Sequence, residues 1–142
     1  MKRYQAQAFL FLLVLAAAMT LACGSSASRT LQSVTISPAS ADAQNFPGGL
    51  VQFTATGIYA APPSPVAPLA ATWGACDQSG NVTSAVSVSS SGVAQCKSGA
   101  AGTYQVWAFD LVTPPGGAEC LAETVCGGGC GRVTGTAQLI CP

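Results

Sequence analysis

Clusters of turn-forming residues divide the chain beyond residue 30 into short segments, and this spacing constrains the fold more than any other feature. The clusters lie at Pro47–Gly49, Asp77–Asn81, Ser89–Gly92 and Thr113–Gly117. Between them apolar and polar residues alternate with the period of two that is typical of half-buried strands. The pattern therefore predicts about seven short strands and no long helix.

The predicted strands pack as an all-β antiparallel sandwich, because many short strands at this spacing bury their apolar faces sheet against sheet. The four prolines within Ala61–Pro68 predict an extended loop. We expect Trp73 to be a buried anchor on a central strand. The segments predicted as strands are 31–36, 50–56, 71–74, 82–88, 92–96, 103–109 and 132–141. The residues expected in the core are Val51, Phe53, Ala55, Val106 and Ala108. In the last predicted strand, one face is formed by residues at alternate positions, which include Val133, Ala137, Leu139 and Cys141.

The N-terminus carries the pattern of an export signal. Lys2 and Arg3 precede an apolar run at 8–19, and Ala22 stands immediately before Cys23. That run would rise about 18 Å as a helix, which is short of the roughly 30 Å bilayer core. We therefore interpret 1–22 as a signal peptide, 23–30 as a short tether and 31–142 as the folded domain.

Cys23 resembles the acylated cysteine of bacterial lipoproteins, which follows directly on such a signal. The resemblance implies a lipid anchor at Cys23, with palmitate among its acyl chains, and Gly24 after it implies sorting to the outer membrane in a Gram-negative cell. Thr20 stands where that motif has Leu, Val or Ile. Ordinary secretory cleavage without lipid is the alternative.

The number of cysteines agrees with acylation, because seven cysteines leave an unpaired thiol in an exported protein unless one is modified. We expect Cys76 and Cys96 to pair first, since both follow strands that would end near one another. The other four would join the insertion at 110–131 to the last strand. The six expected disulfide cysteines are Cys76, Cys96, Cys120, Cys126, Cys130 and Cys141.

Composition excludes several function classes. Without Lys2 and Arg3 the chain keeps three basic and five acidic side chains, a formal net charge of −2, so no basic surface predicts nucleic-acid binding. The chain has no histidine, which excludes histidine-dependent triads and mixed zinc sites. Cys126 and Cys130 are separated by one residue more than in a thioredoxin-like redox motif, and in an exported chain structural disulfides are expected. We expect no enzyme activity, no cofactor and no metal.

Several segments in order resemble the bacterial immunoglobulin-like group 2 domain. The resemblance implies an immunoglobulin-like β-sandwich, used in surface adhesins of the intimin and invasin kind, with no catalytic residues. Compared with the pattern of that family, residues 110–131 are an insertion before the last strand. The matching segments are 31–40, 52–57, 72–73, 88–94 and 99–106.

Trp107 and Phe109 alternate with Val106 and would point away from the core. Either the cysteine-rich insertion covers them, or they form an exposed binding surface.

Together these features predict a non-enzymatic, monomeric cell-envelope lipoprotein with a structural or adhesive role. Its expected partners are the membrane, through the lipid, and an envelope protein or polysaccharide. The alternative is a secreted, unlipidated binding or inhibitory module that acts through 110–131.

Overall fold

The structure is a computed structural model and describes residues 29–110, 125–126 and 132–142. Within these ranges nine strands account for most residues, and two short 3-10 turns, Ala43–Asn45 and Pro47–Gly49, lie between the second and third strands. The predicted all-β fold is confirmed. The strands are β1 (Leu31–Ser37), β2 (Ser40–Asp42), β3 (Leu50–Gln52), β4 (Thr54–Tyr59), β5 (Ala71–Cys76), β6 (Val86–Val88), β7 (Val93–Cys96), β8 (Gly102–Asp110) and β9 (Thr134–Cys141).

The strands form two layers that face each other across one core. The first layer contains the β1–β4 pair and the β3–β7–β6 sheet. Only Phe53 separates β3 from β4, and its backbone N–H donates to the carbonyl of Gly92 at 2.9 Å. The second layer is the sheet β2–β9–β8–β5. The predicted sandwich is therefore confirmed.

One strand was missed and departs from the antiparallel pattern. β2 runs parallel to β9, whereas the remaining strand pairs are antiparallel. Pro38, which has no N–H to donate, follows the end of β1 at Ser37. The chain then crosses to the second layer, where Gln138 N–H donates to the carbonyl of Ala39 at 2.9 Å. Three residues are too few for the alternation that identified the other strands.

The core is built from the alternating positions that the sequence predicts. Phe53, Leu139, Val51 and Val106 are among the largest side chains that are fully buried. Every second residue of β9 from Gly135 to Cys141 is buried. The predicted core positions Ala55, Ala108 and Ala137 are buried with them, and Val133 packs against them partly buried.

The prediction that Trp73 lies on a central strand is wrong. Among the described strands, β5 is at the edge of the second layer, because that sheet extends from β8 through β9 to β2 on its other side. Trp73 is consequently only partly buried, packed against the core from its margin. Of the described residues, Phe53 has the largest side chain that is fully buried.

The proline-rich segment lies along the free side of β4. Val66 exchanges two backbone hydrogen bonds of 2.9 Å with Gly57, and Leu69 N–H donates to Ala55 at 2.8 Å. Prolines on either side of Val66 have no N–H, so the pairing cannot extend into a further ladder. The predicted loop therefore covers a strand edge that would otherwise be open to another chain.

The strand directions define two ends of the sandwich. At one end, which we call the proximal end, Arg29 and Thr30 lead into β1, and Ala71 of β5 pairs with Asp110 of β8. At the opposite end, which we call the distal end, Gly102 of β8 pairs with Cys141 of β9.

Candidate functional site

Two disulfides are formed among the described residues, Cys76–Cys126 and Cys96–Cys141, with Cα–Cα distances of 5.6 and 5.8 Å. The predicted Cys76–Cys96 pairing is wrong. Cys76 belongs to a cluster on the outer face of β5, whereas Cys96 packs against the core. The two side chains therefore point in different directions although their strands end near one another.

The two disulfides have different structural roles. Cys96 lies on β7 and Cys141 on β9, so their bond joins the two layers at the distal end. Cys126 bonds to β5 and not to the last strand, which corrects the expected attachment of the insertion. Cys120 and Cys130 lie outside the described residues, as do Cys23, the signal peptide at 1–22 and most of the tether.

The Cys76–Cys126 disulfide covers an aromatic pair on the outer face of β8. The rings of Trp107 and Phe109 stack with centroids 5.5 Å apart and an angle of 7° between their planes. Val125 and Cys126 pack against them. Trp107 is 3% exposed and Phe109 5% exposed, so they do not form an exposed binding surface. Of the two alternatives, coverage by the insertion agrees with these contacts.

Gly74 makes the close packing of Trp107 possible. The two residues are partners across β5 and β8. A Cβ atom on Gly74 would lie 2.1 Å from Cζ2 of the indole, so the ring occupies the space of a side chain. This contact could not be predicted from the sequence, because a single glycine within a strand does not reveal which neighbour approaches it.

Both boundaries of the insertion are held at the proximal end. Arg132 Nη1 donates to the carbonyl of Asp110 at 3.0 Å, and its guanidinium lies 5.2 Å from the ring centroid of Phe109. Tyr59 Oη donates to Asp110 Oδ2 at 3.2 Å. Desolvation first, and then the nearby Asp110 carboxylate, raise the pKa of Tyr59, while Arg29 opposes this. These contacts between distant residues gave no signal in the sequence.

Arg29 attaches the end of the tether to the same region. Its guanidinium lies 4.2 Å from the ring centroid of Tyr59. Its Nε donates to the carbonyl of Ala61 at 3.3 Å, and its Nη2 donates to that of Pro63. The last described residues before β1 are therefore held against the proline-rich segment.

At the distal end, Asp77 organises the turn beside Cys126. Its Oδ1 accepts hydrogen bonds from the backbone N–H groups of Ser79 and Asn81, both at 2.9 Å. The bond from Asn81 is the main reason that the pKa of Asp77 is lowered. Gly80 follows with φ of +77°, and a Cβ there would lie 3.1 Å from the carbonyl oxygen of Cys126. The turn thus gives Asp77 a structural role.

A groove of about 440 Å³ opens between the layers beside the edge strand β5. We call it the Trp73 groove. Phe53 and Ala55 are buried at its base, and Gln52, Ser90 and Ser91 line it with polar groups. Its remaining lining residues are Thr54, Pro68, Leu69, Ala70 and Trp73. No lining residue carries a formal charge.

The described residues contain no cluster suited to binding a metal ion. No group of three or more His, Cys, Asp or Glu side chains among them could hold a metal ion. No helix in the described part of the chain has the length and apolarity needed to cross a membrane. The chemistry available in the Trp73 groove is apolar contact and neutral hydrogen bonding, which is suited to binding.

Comparison with known proteins does not assign a family. No protein-family model matches the chain, and no curated protein matches it in sequence.

Proposed function

We propose that this protein is a non-enzymatic cell-envelope lipoprotein whose immunoglobulin-like domain acts as a structural or adhesive binding module. The strand order supports the immunoglobulin-like assignment. β1, β3/β4, β7 and β6 follow one another in one layer, and β5, β8 and β9 in the other, which corresponds to the arrangement of constant-type immunoglobulin domains.

The observation that carries the proposal is the attachment of Arg29 at the proximal end. Arg29 contacts Tyr59 and the proline-rich segment, and it stands only six residues after Cys23. Six extended residues reach at most about 20 Å. A lipid on Cys23 would therefore hold the proximal end close to the membrane, with the distal end facing outward.

The test of anchoring is the intact mass of the protein after export and extraction with detergent. We expect a chain that begins at Cys23 and carries a diacylglyceryl or triacyl addition. A Cys23→Ser variant should lose that mass and leave the membrane fraction. A wild-type chain cleaved after Ala22 without added lipid would contradict the proposal and favour the secreted alternative.

The secreted alternative is supported by the concentration of cysteines at 110–131 and by the attachment of this segment through Cys126. It predicts that deletion of 114–131 abolishes capture of partners from envelope extract. The deletion variant should also carry Cys76→Ala, so that the loss of Cys126 leaves no additional free thiol. The matched control is the full segment with Cys76→Ala and Cys126→Ala. Equal capture by the two variants would contradict a role of this segment in binding.

A further inference from the structure

We propose that the Trp73 groove binds a neutral saccharide unit of an envelope polysaccharide. The inference rests on the proposed binding role but is independent of lipidation at Cys23. It assigns the ligand class and the residues that would contact it.

The size and base of the groove suit a small rigid ligand. Its volume of about 440 Å³ lies in the range that small-molecule sites occupy, roughly 300 to 1,000 Å³. Phe53 and Ala55 at its base are 0% and 1% exposed, so the base is apolar and closely packed. A ligand would therefore meet a preformed surface that need not reorganise on binding.

Trp73 would supply the stacking surface. Gly92 adopts φ of +82°, and a Cβ there would lie 3.0 Å from Cζ2 of Trp73 and 2.4 Å from the carbonyl oxygen of Phe53. The missing side chain lets the indole pack directly against the turn between β6 and β7. Because Trp73 lines the groove and is only partly buried, its indole would be available to stack against the C–H groups of a pyranose ring.

Gln52 would supply an oriented hydrogen-bond acceptor. Its Nε2 donates to the carbonyl oxygens of Phe53 and Ser91 at 2.7 and 2.8 Å. Both donors of the amide are then engaged, and its Oε1 has no protein partner among the described residues. Ser90 also lines the groove, and its hydroxyl has no protein partner in the described part of the chain. An acceptor and a hydroxyl beside an aromatic ring complement the hydroxyl groups of a sugar.

The charge of the lining argues for a neutral ligand. No Asp, Glu, Lys or Arg lines the groove. A phosphate or carboxylate placed there would lose hydration without gaining an ion pair or a charge-assisted hydrogen bond. Neutral sugars do not incur this cost, so the groove favours them over anionic glycans.

The test uses the oxidised, exported chain with Cys23→Ser and Trp107→Phe. The chain has two tryptophans, so Trp73 is then the sole indole reporter. The probes are maltohexaose, cellohexaose and chitohexaose, with an oligomer of uronic acids as the anionic comparison and a neutral proline-rich peptide as the alternative ligand. Binding is measured by fluorescence titration and by calorimetry.

We expect saturable binding of at least one neutral hexasaccharide with a change in Trp73 emission, and weaker binding of the other two probe classes. In calorimetry, Trp73→Leu should raise Kd at least about tenfold, and Ser90→Ala should raise it less. Ser98→Ala, an exposed serine outside the groove, is the matched control and should leave Kd unchanged. Circular dichroism of each variant verifies that it is folded.

Absence of binding to every neutral probe would overturn the proposal. So would unchanged affinity in a folded Trp73→Leu variant, or stronger binding of the uronic-acid oligomer or the peptide. A lipid mass found on wild-type Cys23 would leave the anchoring proposal standing after any of these results. The two proposals can therefore fail separately.

Discussion

At the scale of single residues, two glycines leave the space into which tryptophan side chains pack. Gly74 leaves the space into which the indole of Trp107 packs, and Gly92 leaves the space beside Trp73. Both tryptophans are thus positioned by the absence of a neighbouring side chain. The two sites differ in burial, because Trp107 is covered whereas Trp73 faces a groove.

The variant Gly74→Ala should be destabilised, because the added methyl group would overlap the indole of Trp107. Overpacking of this kind lowers the free energy of unfolding by roughly 1 to 3 kcal/mol. Urea denaturation of the single variants and of Gly74→Ala with Trp107→Ala gives a double-mutant cycle. The second substitution should remove most of the cost of the first, and additive effects would contradict the assigned contact.

Asp77 predicts a dependence of stability on acid pH. Its pKa in the folded state lies below the ordinary value of 3.8, so its stabilising effect is present above that value and is lost as the pH falls through the lowered pKa. The difference in unfolding free energy between wild type and Asp77→Asn should shrink as the pH is lowered. Chemical denaturation at a series of pH values measures it, and a constant difference would argue against the assignment.

At the scale of elements, the part of β8 from Val106 to Phe109 is buried on both faces. Val106 and Ala108 face the core between the layers, while Trp107 and Phe109 face the covering residues Val125 and Cys126. The insertion therefore adds a small second core outside the sandwich. The Cys76–Cys126 disulfide holds this cover, and Cys96–Cys141 holds the layers together.

Removing each disulfide should have a different spectroscopic result. Loss of either, as Cys76→Ala with Cys126→Ala or as Cys96→Ala with Cys141→Ala, should lower the free energy of unfolding by roughly 2 to 4 kcal/mol. In a Trp73→Phe background, only the first pair of substitutions should shift Trp107 emission to the red, because only that bond holds the cover. Equal emission shifts in the two variants would contradict the separate roles.

At the scale of the whole molecule, β1 begins at the proximal end, and the insertion both begins and ends there. Arg29, Asp110 and Arg132 all lie there, whereas both disulfides lie toward the distal end. Among the described residues, the exposed large apolar side chains belong to segments near the distal end; they are Phe46, Leu50, Val82 and Ile140. An anchor at Cys23 would thus leave the disulfide-closed end facing outward.

The complete disulfide set is a property of the whole chain. With Cys23 acylated, the remaining six cysteines can form three disulfides, and two of these are present among the described residues. We therefore expect Cys120 to be linked to Cys130 in the oxidised protein. Non-reducing peptide mapping should find this bond together with Cys76–Cys126 and Cys96–Cys141. Free thiols at Cys120 and Cys130, or a Cys76–Cys96 peptide, would contradict the assignment.

Much of the sandwich was predictable, because alternation depends only on the order of residues along a strand. Val51, Phe53, Ala55 and Val106 were identified as core in this way and are buried. β2 was missed because three residues carry too little pattern. Trp73 was misplaced because whether a strand is central or at an edge depends on its neighbours, which are remote in sequence.

The sequence alone determined the all-β class, the inward and outward faces of β8 and β9, and the participation of cysteines in disulfides. Each follows from local periodicity or from counting. Only the tertiary structure decided which cysteines pair, where Gly74 meets Trp107 and how Gln52, Trp73 and Ser90 line one groove. These features depend on the register and packing of segments that lie far apart along the chain, and local residue patterns do not specify that register.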